Sequence, residues 1–288
     1  MTTSLISYYT MKFLRFVVST GLPLSVLALH GKAQSVHPTV ESATYDATPQ
    51  GCTELALLLP SKVFFPGDTV YDYEVGNFWS NTEILKPACI ARPTSSKDVS
   101  VVIQASRSFE TDFAVRAGGH MPVRGANSVD DGILVVMSNL TKMEIAPDRA
   151  SVDVGAGLTW EDVYTYLIDF DRTAVGGRIS PIGVAGLNLG GGISFYGNQY
   201  GWSADNVLEY EVVLASGEIV VANAIENVDL FWALKGGGPN FGIVTKFVLR
   251  AVPSTKVLAG IYTINGTEMD LLMDVSRDSL GGLDMGRH

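Results

Sequence analysis

Glycine is concentrated at three places in this chain, and no other feature constrains its fold as strongly. The clusters lie at residues 118–119, 183–192 and 236–242. Glycine adopts positive φ angles and lets another surface approach the backbone closely. Bare amides in such turns form concave sites for anions. One glycine pair would predict a tight turn with nothing bound, whereas three clusters predict a large ligand lying along the backbone.

The glycines do not have the spacing of the common nucleotide-binding loops. The P-loop pattern is missing from the sequence, and G-x-G-x-x-G fails because Trp160 stands where a third glycine should follow Gly155 and Gly157. A dinucleotide held in a Rossmann domain is therefore disfavoured. The sequence also lacks the G-x-S-x-G elbow of many serine hydrolases, and it has too few histidines and cysteines for a clustered zinc site.

Periodicity predicts a chain of mixed α and β structure, with sheets covered by helices. A strand at 88–93, a helix at 95–110 and a strand at 112–119 make a βαβ unit. Capping boxes are expected at the starts of two helices, Ser95 with Asp98 and Thr159 with Asp162. Later segments predict a hairpin at 209–223, a helix capped by Asn227 and a closing strand at 241–252.

Residues 1–33 have the pattern of a signal peptide. Lys12 and Arg15 precede an apolar run at 16–29 that is too short to span a membrane, and Gly31 and Ala33 suit cleavage after Ala33. A buried N-terminal helix is the alternative. The segment carries three basic and no acidic residues, so its removal would change the net charge from −10 to −13. Such a charge argues against a nucleic-acid partner, and no other run predicts a membrane span.

Secretion gives the two cysteines a natural interpretation. In an oxidising compartment, Cys52 and Cys89 are expected to form one disulfide, and two free buried thiols are the alternative. The sequons "NLT" at Asn139 and "NGT" at Asn265 predict glycosylation in the same compartment. Together these features predict an extracellular protein.

One histidine lies in the body of the chain. The other three of the four are His30, His37 and His288, near the ends, whereas His120 follows the stretch "VRAGG". Arg116 ends a predicted strand there and is a plausible source of positive charge for a phosphate. The glycine pair and the arginine together favour an anionic ligand beside His120.

Three long motifs carry a resemblance to a known family. They are "VRAGGHMPVRGANSVDDGILVVMSNL", "GGRISPIGVAGLNLGGGISFYGNQYGWSADNVLEYEVVLASGEIV" and "DLFWALKGGGPNFGIVTKFVL". In this order they resemble the FAD-linked oxidases related to vanillyl-alcohol oxidase and berberine bridge enzyme, above all the secreted fungal members. The resemblance runs from about Cys52 to Pro253. It implies an α+β fold, with a PCMH-type FAD-binding domain of two α/β subdomains over 84–253, after a signal peptide at 1–33 and an N-terminal segment at 34–83.

The resemblance also implies a site. His120 stands where the family joins a histidine to the flavin 8α-methyl group, and the alternative is that it lines a non-covalent FAD. Ile179 stands where many relatives carry a second, cysteine link, so no second link is expected. Ile182 is expected near the flavin ring, where relatives tune oxygen access. The other expected FAD contacts are Arg116, Ala117, Gly118, Gly119, Met121, Gly183, Gly186, Gly190, Gly191, Gly192, Gly242, Ile243 and Val244, and no metal is expected.

The implied activity is hydride transfer from a small organic substrate (an alcohol, sugar or secondary metabolite) to FAD, with O2 as acceptor. Relatives continue past Pro253 into a substrate domain. The resemblance therefore predicts that 254–288 is only the start of that domain, with an atypical tail and no catalytic base. Two alternatives are a catalytically inactive, truncated FAD-binding fragment and a secreted binding module without flavin.

Overall fold

The computed structural model describes residues 48–255 and 264–281, in two units. The first unit, described over 48–255, holds both sheets and all the candidate site residues. The second is described over 264–281 alone. The signal peptide predicted at 1–33 lies outside the described residues.

The first sheet has four strands: β1 (Val63–Phe64), β2 (Cys89–Ala91), β3 (Phe113–Arg116) and β4 (Ile133–Val136), in the order β1-β2-β4-β3. β2 and β3 both run parallel to β4, which lies between them. The predicted βαβ unit is therefore confirmed, with a strand inserted between its two strands. All four side chains of β4 are buried, because a central parallel strand is covered on both faces and is apolar throughout.

Three helices lie before or between these strands in the sequence: α1 (Gln50–Leu58), α2 (Thr69–Gly76) and α3 (Ser96–Ser108). Ser95 caps α3 by accepting a hydrogen bond from Asp98 N at 3.2 Å. The Asp98 carboxylate accepts instead from Thr94 N at 2.8 Å and Lys62 Nζ at 2.6 Å. The capping box expected at Ser95 is thus only half formed, because Lys62 and Thr94 take the carboxylate.

A disulfide joins the start of the unit to the first sheet. Cys52 in α1 is bonded to Cys89 in β2, with their Cα atoms 5.9 Å apart, so the predicted pairing is confirmed. Both cysteines are buried in the larger hydrophobic core. Residues 48–83, which the sequence sets apart as part of an N-terminal segment, supply α1, α2 and β1 to the unit.

The second sheet is antiparallel and has β10 (Ile243–Pro253) at its centre. β10 pairs along one edge with β6 (Ser151–Gly155) and along the other with β8 (Val207–Val213). Its core face includes Phe247, packed edge-on against Tyr210 at 5.6 Å between ring centroids. The remaining strands are β5 (Met143–Ile145), β7 (Arg172–Ala174), which pairs with the end of β10, and β9 (Ile219–Asn223).

Four helices accompany this sheet: α4 (Trp160–Ile168), α5 (Val184–Leu189), α6 (Gly197–Tyr200) and α7 (Val228–Leu234). The capping box of Thr159 and Asp162 at the start of α4 is confirmed. The prediction that Asn227 caps α7 is wrong. Its backbone is left-handed, with φ 48°, and its side chain accepts no hydrogen bond from the helix amides. Its Nδ2 donates instead to Val221 O at 2.6 Å.

The second unit contains a 3-10 turn (Gly266–Glu268) followed by α8 (Met269–Gly281). Asn265 precedes the turn and its Oδ1 accepts from Thr267 N at 3.3 Å. Among all helices within 48–255 and 264–281, none is both long and apolar enough to cross a bilayer.

Candidate cofactor-binding site

The first two glycine clusters meet, backbone against backbone. Gly118 follows the end of β3, and Gly183 precedes the first residue of α5. A Cβ atom placed on Gly118 would lie 2.6 Å from Gly183 N, and one on Gly183 would lie 2.8 Å from Gly118 Cα. Real Cβ atoms essentially never come this close to backbone. Neither position accepts a larger residue without separating the two segments.

The third cluster adjoins the second. Gly238 N donates a hydrogen bond to Leu189 O at 2.9 Å, immediately before the run of glycines at 190–192. Gly191 and Gly192 have φ of 99° and 77°, angles that favour glycine. Their carbonyls accept from Ala204 N and Ser203 N, each at 2.9 Å. The three clusters, far apart in sequence, therefore form one chain of contacts.

A small cavity lies between the second and third clusters. It has a volume of about 230 Å³ and its lining includes Gly191, Gly236, Asp205 and Lys235. Lys235 Nζ lies 4.3 Å from the centroid of the Phe231 ring. Burial lowers the pKa of Lys235, while Asp205 raises it and Arg250 lowers it. Bare glycine backbone and a half-buried lysine thus line this cavity.

His120 lies beside the contact of the first two clusters. Gly119, just before it, has φ 62°. The imidazole is half-buried and stacks on the indole of Trp79, with ring centroids 4.6 Å apart and an angle of 23° between the planes. Trp79 N also donates to Gly119 O at 3.1 Å. Met121, which follows, is exposed.

The Arg116 side chain points into the protein, so the expectation that it supplies positive charge to a bound phosphate is wrong. It is only 3% exposed and makes a buried ion pair with the Glu74 carboxylate, while also donating to Glu74 O. Its guanidinium lies 4.7 Å from the centroid of the Phe78 ring. Burial lowers the pKa of Arg116, and Glu74 opposes this. Because its charge is already paired, Arg116 can contribute to a ligand site only through its backbone.

Two buried polar residues in the loop that follows His120 were not predicted from the sequence to belong to the site. Asn127 Oδ1 and Ser128 Oγ have no hydrogen-bond partner among the described residues. Asn127 N donates to Glu83 Oε2 at 3.2 Å, which fixes this part of the loop. A buried polar atom usually has a partner, so both atoms are suited to a ligand. The signal for them was a pair of small polar residues following glycine in the histidine-bearing loop.

The other predicted contacts are distributed over both sides of the site. Gly186, in α5, is exposed, and a Cβ placed on it would meet no atom within 4 Å, so its backbone faces open space. Ile182 is half-buried and its carbonyl accepts from Trp160 N at 3.0 Å. Gly242, Ile243 and Val244 lie at the start of β10, beside β8, and no described contact joins them to the His120 loop.

Within the described ranges, no group of three or more histidine, cysteine, aspartate or glutamate side chains could hold a metal ion. The possible donors at this site are instead backbone amides, a serine hydroxyl and a lysine. Such a set suits an anionic, phosphate-bearing ligand of extended shape.

Comparison with known proteins identifies this ligand class. Residues 87–223 match the FAD binding domain family, a range that includes the first two glycine clusters and His120. The FAD-dependent monooxygenase prx3 of Penicillium roqueforti is 41% identical over 224 residues. The chain belongs to the FAD-linked oxidoreductases. The predicted family, the PCMH-type α+β fold and FAD as the cofactor are thereby confirmed.

Two further relatives agree with this family. The FAD-dependent monooxygenase tpcD of Cochliobolus heterostrophus is 40% identical over 233 residues. The crystal structure of 6-hydroxy-D-nicotine oxidase from Arthrobacter nicotinovorans superposes with a TM-score of 0.71 and 30% identity, covering 76% of this chain and 49% of that one. The alignments with prx3 and tpcD each cover 77% of this chain, but 44% and 45% of those relatives. The chain thus spans less than half the length of each of these relatives.

The site fits FAD on its own geometry. The contact of Gly118 with Gly183 leaves no side chain between the end of β3 and the start of α5. Ser128 Oγ, in the loop that follows His120, is a buried hydrogen-bonding group without a partner among the described residues. Backbone that carries no side chains at three clusters suits a flavin and its pyrophosphate, whereas a single phosphate would need only one of the three clusters.

Proposed function

We propose that this chain is the FAD-binding part of an oxidoreductase that takes hydride from a small organic substrate, with O2 as the acceptor. The observation that carries the proposal is the reciprocal contact of Gly118 and Gly183 next to His120. This contact creates bare backbone beside a nucleophilic side chain. A chain that only bound a phosphate would have no need of the histidine.

Each part of the site has a proposed role. The backbone amides of 116–121 and the Ser128 hydroxyl hold the pyrophosphate, since the Arg116 side chain is paired elsewhere. The glycines of 183–192 lie against the flavin ring, with Ile182 beside it, and Gly242, Ile243 and Val244 contact the cofactor through their backbone. FAD, when bound, supplies the hydride acceptor. The protein contributes binding, orientation and the exclusion of water.

His120 is the proposed covalent attachment point, through a ring nitrogen to the flavin 8α-methyl group. Its half-buried ring adjoins the glycine contact, so it is placed to meet a flavin lying there. Ile179 provides no second nucleophile. One link suffices to keep the cofactor from dissociating.

The proposed substrate is an alcohol, a sugar or a secondary metabolite. The name of prx3 raises a second candidate reaction, the insertion of oxygen into the substrate. The two reactions differ in where the oxygen goes. Simple oxidation yields one H2O2 for each substrate oxidised, whereas monooxygenation transfers label from ¹⁸O2 into the product.

We also propose that the protein is secreted and glycosylated, which the Cys52–Cys89 disulfide supports. Of the two sequons, Asn265 is exposed and is the favoured site. Asn139 is half-buried, and its Oδ1 accepts from Arg92 Nη2 at 3.0 Å. A glycan on Asn139 Nδ2 would have to reach solvent from a half-buried side chain. The proposed partners are the substrate and O2, without nucleic acid or membrane.

Absorption spectra before and after acid precipitation test the attachment. We expect purified protein to show a flavin spectrum and to keep its colour in the pellet. His120→Ala should bind FAD but release it into the supernatant, because the remaining contacts are non-covalent. Met121→Ala is the matched control, since it removes an exposed side chain and leaves the loop backbone intact.

Release of all flavin from the wild-type protein in acid would show that His120 makes no covalent bond. A colourless protein that takes up no FAD would contradict the oxidoreductase proposal as a whole.

A further inference from the structure

We propose that Trp79 is a positioning residue that holds the His120 ring in the orientation needed for flavin attachment. The proposal rests on the covalent role of His120. Trp79 lies 41 positions before His120, in a segment to which the sequence assigned no role. Its indole nevertheless packs directly on the imidazole.

The stacking geometry restricts one ring by the other. The centroid distance of 4.6 Å and the plane angle of 23° describe an offset, nearly parallel pair. The indole covers one face of the imidazole and leaves its edge, which carries the two nitrogens, uncovered by that contact. Tilting of the imidazole out of this plane would break the stack. The uncovered edge is the part of the ring that forms a bond.

Hydrogen bonds fix the segment that carries Trp79 to the loop that carries His120. Trp79 N donates to Gly119 O at 3.1 Å, and Thr82 Oγ1 donates to Pro122 O at 2.6 Å. A third bond, from Asn127 N to Glu83 Oε2, lies at the far end. Residues 79–83 thus run alongside 119–127 and are bonded to this loop on both sides of His120.

The start of the segment is held as well. Phe78 lies against the Arg116 guanidinium, and Arg116 is paired with Glu74 in α2. The backbone on each side of Trp79 is therefore anchored independently of its side chain. Removing the indole should leave the loop in place and free only the imidazole to rotate.

This freedom matters for the attachment reaction. The new nitrogen–carbon bond replaces one C–H bond of the flavin methyl group and the N–H bond of the imidazole. The two protons and two electrons released reduce O2 to H2O2. Only a ring that presents its nitrogen to the methyl group reacts, so a fixed orientation raises the rate. Loss of an aromatic pair should slow attachment roughly 3- to 10-fold.

The test compares Trp79→Leu, Trp79→Phe and wild type. Each protein is produced in riboflavin-limited cells and then mixed with FAD. Total bound flavin and acid-stable flavin are followed over time. We expect Trp79→Leu to bind FAD as wild type does but to attach it roughly 3- to 10-fold more slowly, with Trp79→Phe restoring most of the rate. Trp232→Leu, which alters an indole that is 79% exposed, is the control.

Proton NMR of the His120 ring gives a readout independent of flavin. The imidazole protons should be shifted upfield by the indole in wild type, and the shift should vanish in Trp79→Leu. Attachment by Trp79→Leu at the wild-type rate would overturn the positioning role alone. Wild-type protein with no acid-stable flavin would overturn the covalent role of His120 and, with it, this proposal.

Discussion

A methyl group placed between the first two glycine clusters should separate them. In Gly183→Ala the new Cβ would lie 2.8 Å from both Gly118 Cα and Gly118 N. The backbone angles of Gly183, φ −66° and ψ 144°, are open to alanine, so the cost is steric and not conformational. Both atoms met are backbone, which cannot rotate away as a side chain would.

The change in the free energy of unfolding for Gly183→Ala can be estimated from packing. Overpacking costs about 1–3 kcal/mol, and two backbone contacts place Gly183→Ala near the upper end. Replacing glycine also lowers the entropy of the unfolded chain, which returns about 0.4–1 kcal/mol. We therefore expect a net loss of about 2 kcal/mol in the free energy of unfolding. For a unit of this size, that lowers Tm by about 4–8 °C.

The assay is thermal unfolding of the FAD-free protein, with two matched substitutions. Gly76→Ala and Gly186→Ala place the same methyl group where no atom lies within 4 Å. Both should melt at or above the wild-type temperature. Gly186→Ala should nevertheless bind FAD less tightly, because its methyl group enters the space proposed for the cofactor. Equal melting temperatures for Gly183→Ala and Gly76→Ala would refute the direct contact of the two backbones.

Two further predictions concern the first sheet and its helices. Cys52→Ser removes the disulfide between two residues that are 37 apart in sequence. On the chain-entropy model this should lower the free energy of unfolding by about 4 kcal/mol. Urea unfolding with and without reductant measures the loss, and equal midpoints for wild type and Cys52→Ser would contradict the prediction. Burial by itself raises the pKa of Asp98, but hydrogen bonds from Lys62 and Thr94 outweigh burial and hold this pKa below its ordinary value. This stabilisation should be present above about pH 4 and be lost as the pH falls through the lowered folded-state pKa. The urea midpoints of wild type and Asp98→Asn should therefore differ at neutral pH and converge in acid, and a constant difference would refute the role of the charge.

Features that depend on neighbouring residues could be predicted from the sequence. The Thr159 capping box and the hairpin of β8 and β9 are local, and each appears where the pattern placed it. The disulfide could be predicted because only two cysteines exist. FAD was predicted from the three long family motifs, because hydrophobic periodicity by itself indicates only helices and strands.

Features that depend on distant residues were not predictable in the same way. The sequence does not show that β4 enters between β2 and β3, since that order depends on how three strands pair. The role of the Arg116 guanidinium was predicted wrongly because Glu74, its ion-pair partner, lies 42 residues earlier in the sequence. Trp79 was missed for the same reason, because its importance lies in a ring that is distant in sequence.

The central position of β10 has a consequence for how the chain is made. Without this strand, the sheet order leaves the β5–β6 and β8–β9 hairpins and a lone β7. Isolated two-stranded hairpins are marginally stable in water. On the ribosome, the four strands of the first sheet are complete once residue 136 has emerged, but the second sheet must wait until 243–253 follows. The first sheet can therefore form before the second during synthesis. A nascent chain that ends before residue 243 exposes unpaired strand edges of the second sheet.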